Sequence, residues 1–434
     1  MSSDLLTSVQ TLLQQAASLL LYQSVLADER GQSFLNLLRT IRYAKENPTQ
    51  DAECLYAYGQ WFQAMAAGNQ TWHDYVVTQI LRDENVFSRQ VQVADLDRLS
   101  PAIVAAAQHD LHTLQCIAAC TGEDLSQWVQ AVGTITPVVW TAPATERSCL
   151  TDIDDWATGL EALTAHYRRT GTGLLAEYRA LRWQAGQLVG IAHPDPVMVE
   201  SLVGYEAQKE TLLKNTEFLL NGYTALHVLL YGSRGSGKSS LVKGLLHEFV
   251  DRPLRLIEVS KSELRELPTI VDRLRDLPQK FILFVDDLSF EEDEDAYKAL
   301  KVVLEGNLTA RPQNVVIYAT SNRRHLIREF FGDRPRPRDG DEVHAWDTVQ
   351  EKLSFSDRFG LTLTFEPADQ KTYLAIVHHL AAQAGLSLDS DELTQQALQW
   401  ATRHNGRSGR SARQFVDFLS AELAVGKESR SSKF

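Results

Sequence analysis

Two spacings of apolar residues divide the chain. Up to residue 185 they recur every three or four positions, in Leu5–Leu26, Phe34–Tyr43, Cys54–Met65, Ile103–Cys120 and Trp156–Tyr167. That period lays an apolar stripe along a helix, so residues 1–185 are expected to form an all-helical domain. Asn47-Pro48, Gly68-Asn69 and Gly171-Thr172-Gly173 supply breaks between the helices. Residues 186–199 contain Gly186, Gly190 and His193-Pro194-Asp195-Pro196, and the prolines disfavour helix in the residues before them. This stretch reads as a linker.

Beyond residue 200 the rhythm changes. Short apolar runs at His227–Tyr231, Leu254–Val259, Phe281–Val285, Val315–Ala319 and Leu361–Phe365 alternate with helical patterns at Glu206–Leu220, Ser262–Asp276, Glu294–Leu304 and Arg323–Phe330. Such alternation predicts a parallel sheet covered on both faces. The interruption at Gly332–Asp347 has no apolar period and is expected to be a mobile loop. Three helices between Asp369 and Leu423 look like a small lid. The expected organisation is thus a helical domain to 185, a linker over 186–199, an α/β core over 200–366, a helical lid over 367–425 and a tail over 426–434.

The chemistry concentrates where the first strand ends. Gly232-Ser233-Arg234-Gly235-Ser236-Gly237-Lys238-Ser239 fits G-x-x-x-x-G-K-[ST] between a strand and a helix, and Ser240 follows in the helix's first turn. The glycines allow a tight fold that turns backbone N–H groups towards a triphosphate, and the helix N-terminus adds its positive dipole end. Lys238 would reach the β- and γ-phosphates, and the Ser239 hydroxyl would ligate Mg²⁺. Phe281–Val285 ends in Asp286 and Asp287, delivered to the crevice at the strands' carboxyl ends. Asp286 is expected to hold Mg²⁺, and Asp287 to orient or deprotonate the attacking water. Asn322, after the next strand, would position water near the γ-phosphate. Arg358 either projects towards a neighbouring subunit's phosphates or forms a structural ion pair at a helix end. Arg413, with Arg410 as the alternative, would touch the γ-phosphate in cis.

Composition narrows the function classes. The net charge is −13, of which residues 1–195 carry −9 (12 Lys and Arg against 21 Asp and Glu), so a broad grip on nucleic acid or anionic membrane is not favoured. Four cysteines in a long chain fit a reducing cytoplasm. Leu5–Ala27 is uncharged yet holds nine Ser, Thr and Gln residues and lacks a basic flank, which argues against both a signal peptide and a membrane span. His109, His112, Cys116 and Cys120 would share one helix face, but that face runs about 16 Å, too long for one tetrahedral ion. A core or interface stripe is the expectation there.

With these elements in this order, residues from about 197 to 425 resemble the AAA+ ATPases. More narrowly, LVGYEAQKE, YGSRGSGKSSLVK, FILFVDDLSFE and SGRSARQFVDFL resemble a bacterial family carrying a domain of unknown function and described only as predicted ATP-binding AAA+ proteins. The resemblance implies a P-loop NTPase sheet of strand order 5-1-4-3-2 under a helical lid, with ATP and Mg²⁺ as ligands. It assigns Walker A to Gly232–Ser239, Walker B to Asp286 and Asp287, sensor 1 to Asn322, the arginine finger to Arg358 and sensor 2 to Arg413. Gly204 and Tyr205 fall where backbone and side chain flank adenine. Many fast members carry Glu where this chain has Asp287, so slow hydrolysis is expected.

Three functions compete at this stage. One is an ATPase that self-associates in the ATP state and remodels or loads a macromolecular partner. Another is a non-motor ATP switch whose acidic helical half binds a protein. The third, an initiator-like nucleic-acid factor, rests on six arginines between Arg323 and Arg338 and is not favoured by the acidic charge.

Overall fold

The computed structural model describes residues 3–44, 51–143, 148–289, 295–305, 311–322, 355–386, 388–404 and 406–431. The expected helix over 323–330, the loop over 332–347 and the arginine-rich run lie outside the described residues. The chain divides into two units, Met1–Glu177 and Tyr178–Phe434.

The first unit is helical: α1 (Ser3–Ala17), α2 (Glu29–Ala44), α3 (Asp51–Gly68), α4 (Trp72–Arg82), α5 (Val86–Val93), α6 (Pro101–Ala118), α7 (Gly122–Val132), α8 (Leu160–Thr170) and α9 (Leu174–Glu177). Their apolar stripes meet in one core around Phe34, Trp61, Tyr75 and Leu114, all fully buried. The run Leu5–Leu26 is not one helix. It stops at Ala17 because the buried Asp110 carboxylate, on α6, accepts the backbone N–H groups of Leu20 (3.0 Å), Leu21 (2.6 Å) and Tyr22 (2.9 Å). A charged acceptor held 88 residues away thus outcompetes continuation of the helix. The four residues expected on one helix face do not share one: α6 ends at Ala118, leaving Cys120 buried beyond it, while His109 and His112 on the helix are exposed, against Ser18 (3.3 Å) and Asp155 (3.6 Å).

The second unit is built on seven strands, β1 (Ala180–Gln184), β2 (Gln187–Gly190), β3 (Val228–Gly232), β4 (Leu254–Glu258), β5 (Lys280–Val285), β6 (Val315–Ser321) and β7 (Leu361–Phe365), in the order β2-β1-β4-β5-β6-β3-β7. The last five are mutually parallel, and counted along the chain they stand 5-1-4-3-2, the order of an AAA+-like P-loop NTPase. Both faces are covered, which is why these strands are continuously apolar. Leu230, Leu256, Ile282, Phe284 and Tyr318 are buried on one side, and Leu229, Ile257, Leu283 and Ile317 on the other. Among the helices are α10 (Glu206–Leu220), α11 (Lys238–Glu248), α12 (Leu267–Leu274) and α13 (Asp295–Glu305), followed by a lid of α14 (Gln370–Gln383), α15 (Ser390–Arg403) and α16 (Gly409–Ser431) with its own core around Tyr373, Ala397 and Phe415. No helix among the described residues is long and apolar enough to cross a membrane.

Three sequence expectations need correction here. Residues 180–190, read as helix end and linker, form an antiparallel hairpin whose first strand joins β4 in parallel. Ala185 (φ 50°) and Gly186 (φ 80°) make its two-residue turn, with left-handed backbone at both positions as a tight hairpin requires. The helix expected over 262–276 begins as a 3₁₀ segment, Lys261–Glu266, and becomes α-helical only at Leu267, where Pro268 sits in the first turn. The last helix runs on to Ser431, through most of the expected tail.

Candidate functional site

The loop between β3 and α11 owes its shape to contacts with β7. Gly232 has φ 146°, and a Cβ there would stand 1.9 Å from the Phe365 carbonyl oxygen, so no other residue fits. The Ser233 N–H donates to that same oxygen at 3.0 Å. Gly235 (φ 76°) and Gly237 (φ 90°) complete the left-handed turns that lead into α11. Lys238 opens the helix and is 6% exposed. Its ammonium donates to the carbonyls of Gly232 (3.0 Å) and Ser233 (2.7 Å) and to Asn322 Oδ1 (3.3 Å). Burial lowers its pKa from the ordinary value, opposed by the Asp286 and Asp287 carboxylates.

The acidic pair sits at the end of β5, beside β6. In a regular strand successive side chains alternate between faces. Asp287 instead adopts φ 52°, and both carboxylates open into the same cleft. Asp286 Oδ1 accepts from the Ser239 hydroxyl (2.6 Å) and the Thr320 hydroxyl (2.5 Å). Asp287 Oδ1 accepts from Asn322 Nδ2 at 2.6 Å. Loop, acidic pair and Asn322 are therefore one connected polar cluster.

On the far wall Tyr205 starts α10 with left-handed backbone (φ 60°), and its hydroxyl donates to the Glu366 carbonyl while its ring packs on Phe365 at 5.0 Å. Burial, with the Glu366 and Asp369 charges, raises its pKa. The α10 helix is pegged to the sheet by buried Asn215, which bonds the Leu226 backbone on both sides (2.9 Å each) and Tyr318 (3.0 Å). From the lid, the Arg410 N–H donates to the Gly235 carbonyl at 3.3 Å.

The cleft measures about 780 Å³. Its lining brings together Gly204, Tyr205, Arg234, Gly235, Ser236, Gly237, Lys238, Ser239, Ser240, Asp286, Asp287, Asn322, Arg410 and Arg413. Gly232 and Ser233 lie behind it, as the carbonyls that hold Lys238. Arg358 lies elsewhere: its Nε pairs with Glu305 Oε1 at 2.8 Å, at the end of α13. Sequence reasoning missed the Thr320 side of the cluster and Lys209, Ile376, Leu380 and Gln383 of the wall. Thr320 carried a signal, since strand alternation puts it on the same face as Asn322.

A family model described as "Protein of unknown function (DUF815)" matches residues 176–423, more than half of the chain. The chain belongs to the DUF815 family. The DUF815 match starts ahead of the β1–β2 hairpin, so that hairpin is part of the family's domain and not a linker to it. No curated protein matches the sequence. Among solved structures, the chain is similar to the Holliday junction branch migration motor RuvB of Thermotoga maritima (16% identity, 54% of this chain and 67% of that one, TM-score 0.38). It is also similar to the replication initiator DnaA bound to AMPPCP and single-stranded DNA (17% identity, 55% and 70%, TM-score 0.37) and to a HORMA:CdnC:Trip13 complex of E. coli MS115-1 (15%, 50% and 89%, 0.32). These likenesses are distant, and the strand order and phosphate loop of this chain carry the description of its fold.

The donor set suits a nucleoside triphosphate with magnesium. Amide-rich loop, ammonium and helix N-terminus converge on the side where phosphate oxygens would bind. Ser239 and Asp286 offer hard oxygen ligands. No group of three or more His, Cys, Asp or Glu that could cage a metal occurs among the described residues.

Proposed function

We propose that this chain binds ATP with Mg²⁺ in the cleft, hydrolyses it slowly, and uses the nucleotide state to govern self-association and the remodelling or loading of a macromolecular partner. The observation that carries this reading is the convergence of the glycine loop, Lys238 and the Ser239–Asp286 pair on one cleft. Residues 200–366 with the hairpin serve as the nucleotide-binding core and 367–425 as the lid. Bound magnesium would neutralise charge on the phosphates. Lys238 exchanges backbone carbonyls for phosphate oxygens. Asp287 accepts the proton of the attacking water, Asn322 holds that water and the Asp287 carboxylate together, and Arg413 or Arg410 contacts the terminal phosphate. Slowness follows from Asp287, whose carboxylate is already engaged by Asn322 and reaches about 1.5 Å less far than Glu would. Four free cysteines agree with a cytoplasmic setting.

Lys238→Ala in the full chain should abolish ATP binding, read by titration with a fluorescent ATP analogue. Affinity within threefold of wild type would refute the site.

A second reading, a non-motor switch that binds a protein through the N-terminal helices, is supported by the slow site, where the shorter Asp287 carboxylate is already bonded to Asn322 (2.6 Å). Size-exclusion chromatography with ATP, with ADP and with Arg358→Ala separates the two. A mass increase with ATP that Arg358→Ala removes supports assembly, and one mass throughout supports the switch.

A further inference from the structure

Four bonds tie the turn after β5 to the end of β6. The Thr320 hydroxyl donates to Asp286 Oδ1 (2.5 Å) and accepts the Asp287 N–H (3.0 Å). The Leu288 N–H donates to the Thr320 carbonyl (2.7 Å), and the Ser321 hydroxyl donates to the Leu288 carbonyl (2.8 Å). Parallel pairing of β5 with β6 ends at Val285 beside Ala319, so this cross-link takes over where the regular ladder stops. Asp287 is a non-glycine residue in left-handed backbone, a conformation that needs support from its surroundings. That conformation sends its carboxylate to the same side as that of Asp286.

One hydroxyl therefore does two things. As a donor, together with Ser239 and the Asp287 N–H (3.1 Å), it fills Asp286 Oδ1, leaving Oδ2 without a donor among the described residues. As an acceptor, it holds the Asp287 amide in its left-handed turn. Thr320 is 2% exposed and lines the cleft between the two acids.

From this geometry we infer that Thr320 is a positioning residue: its hydroxyl sets Asp286 for the metal and Asp287 for the water. It acts through these two carboxylates without touching the nucleotide. The inference rests on the ATP and magnesium reading of the cleft. It adds to that reading a residue on whose hydroxyl, and not on whose shape, metal dependence turns.

The test compares Thr320→Val, of the same shape without the hydroxyl, with Thr320→Ser, which keeps the hydroxyl. In the full chain, binding of a fluorescent ATP analogue is measured in EDTA and against a Mg²⁺ titration, alongside steady-state ATP hydrolysis. Thr320→Val should raise the Mg²⁺ concentration for half-effect at least about tenfold, the scale of one lost hydrogen bond to a charged group. It should lower kcat by a similar factor or more, with metal-free affinity within twofold. Thr320→Ser should recover to within threefold of wild type. Equal Mg²⁺ dependence in Thr320→Val and wild type overturns the inference, as do equal shifts in the Val and Ser variants, which would assign the effect to packing. If Thr320→Val fails to fold, Thr320→Ala against Thr320→Ser decides, because both remove the branch and only one keeps the hydroxyl; equality again overturns it. Wild-type protein that binds no ATP with or without Mg²⁺ removes the reading of the cleft itself. Wild-type binding with an indifferent Thr320→Val removes this inference alone.

Discussion

His227, 3% exposed at the foot of β3, makes the fold sensitive to acid in a way that can be calculated. Its Nδ1 accepts the Ile317 N–H at 2.9 Å, so the ring is neutral with its proton on Nε2, which has no partner among the described residues. Protonation would set donor against donor at Ile317 and add a charge near Arg311. Burial, followed by the Arg311 charge, accordingly pushes the pKa down from 6.5 to about 3. The unfolded chain takes up a proton below pH 6.5 and the folded chain does not until about pH 3. Stability from this group is therefore complete above pH 7 and declines as the pH falls through that window. The slope is one proton, about 1.4 kcal/mol per pH unit, giving a loss on the order of 3 kcal/mol between pH 6.5 and pH 4. His227→Asn offers an amide oxygen to Ile317 without titrating. Urea unfolding of both proteins from pH 7.5 to 4.5, following the transition of the α/β unit, should give a wild-type slope steeper by nearly one proton. Parallel slopes would refute the account of this histidine.

Two further substitutions probe the architecture. Gly232→Ala forces a Cβ to 1.9 Å from the Phe365 carbonyl at a backbone angle alanine disfavours. It should cost about 2–5 kcal/mol in urea unfolding and weaken ATP binding, because β3 and β7 must part. Asp110→Ala strips a charged acceptor from three buried or half-buried N–H groups. The helical unit should lose about 3–5 kcal/mol, read by its urea transition, and a change below 1 kcal/mol would contradict the role given to that carboxylate.

Most of the α/β unit was legible in the sequence because its strands are buried on both sides. Continuous apolar runs such as Phe281–Val285 and Val315–Ala319 can hardly sit elsewhere, and a glycine loop between strand and helix has few other shapes. Arg358 stood open between finger and structural pair because a finger acts on a neighbouring subunit, which a single chain's sequence does not describe; within this chain it pairs with Glu305. The β1–β2 hairpin was hidden because five residues of alternation, Ala180–Gln184, are too few to stand out beside a preceding helical pattern. Ala185-Gly186 then passed for a domain break. The end of α1 was illegible for a different reason: Asp110 decides it, and nothing near Ala17 in sequence records that. The left-handed Asp287 belongs to the same class, since the bonds that hold it come from β6, more than thirty residues further along the chain.

The contact between Arg410 and Gly235 has a mechanical corollary. The helix that rests its first turn on the phosphate loop is 23 residues long, a rod of about 34 Å. A tilt of about 5° at the loop would sweep its far end through about 3 Å, by the arithmetic of a rigid helix. Whatever enters the loop thus pushes on the short end of a lever, and its distant end is where a change of ligand would be felt most.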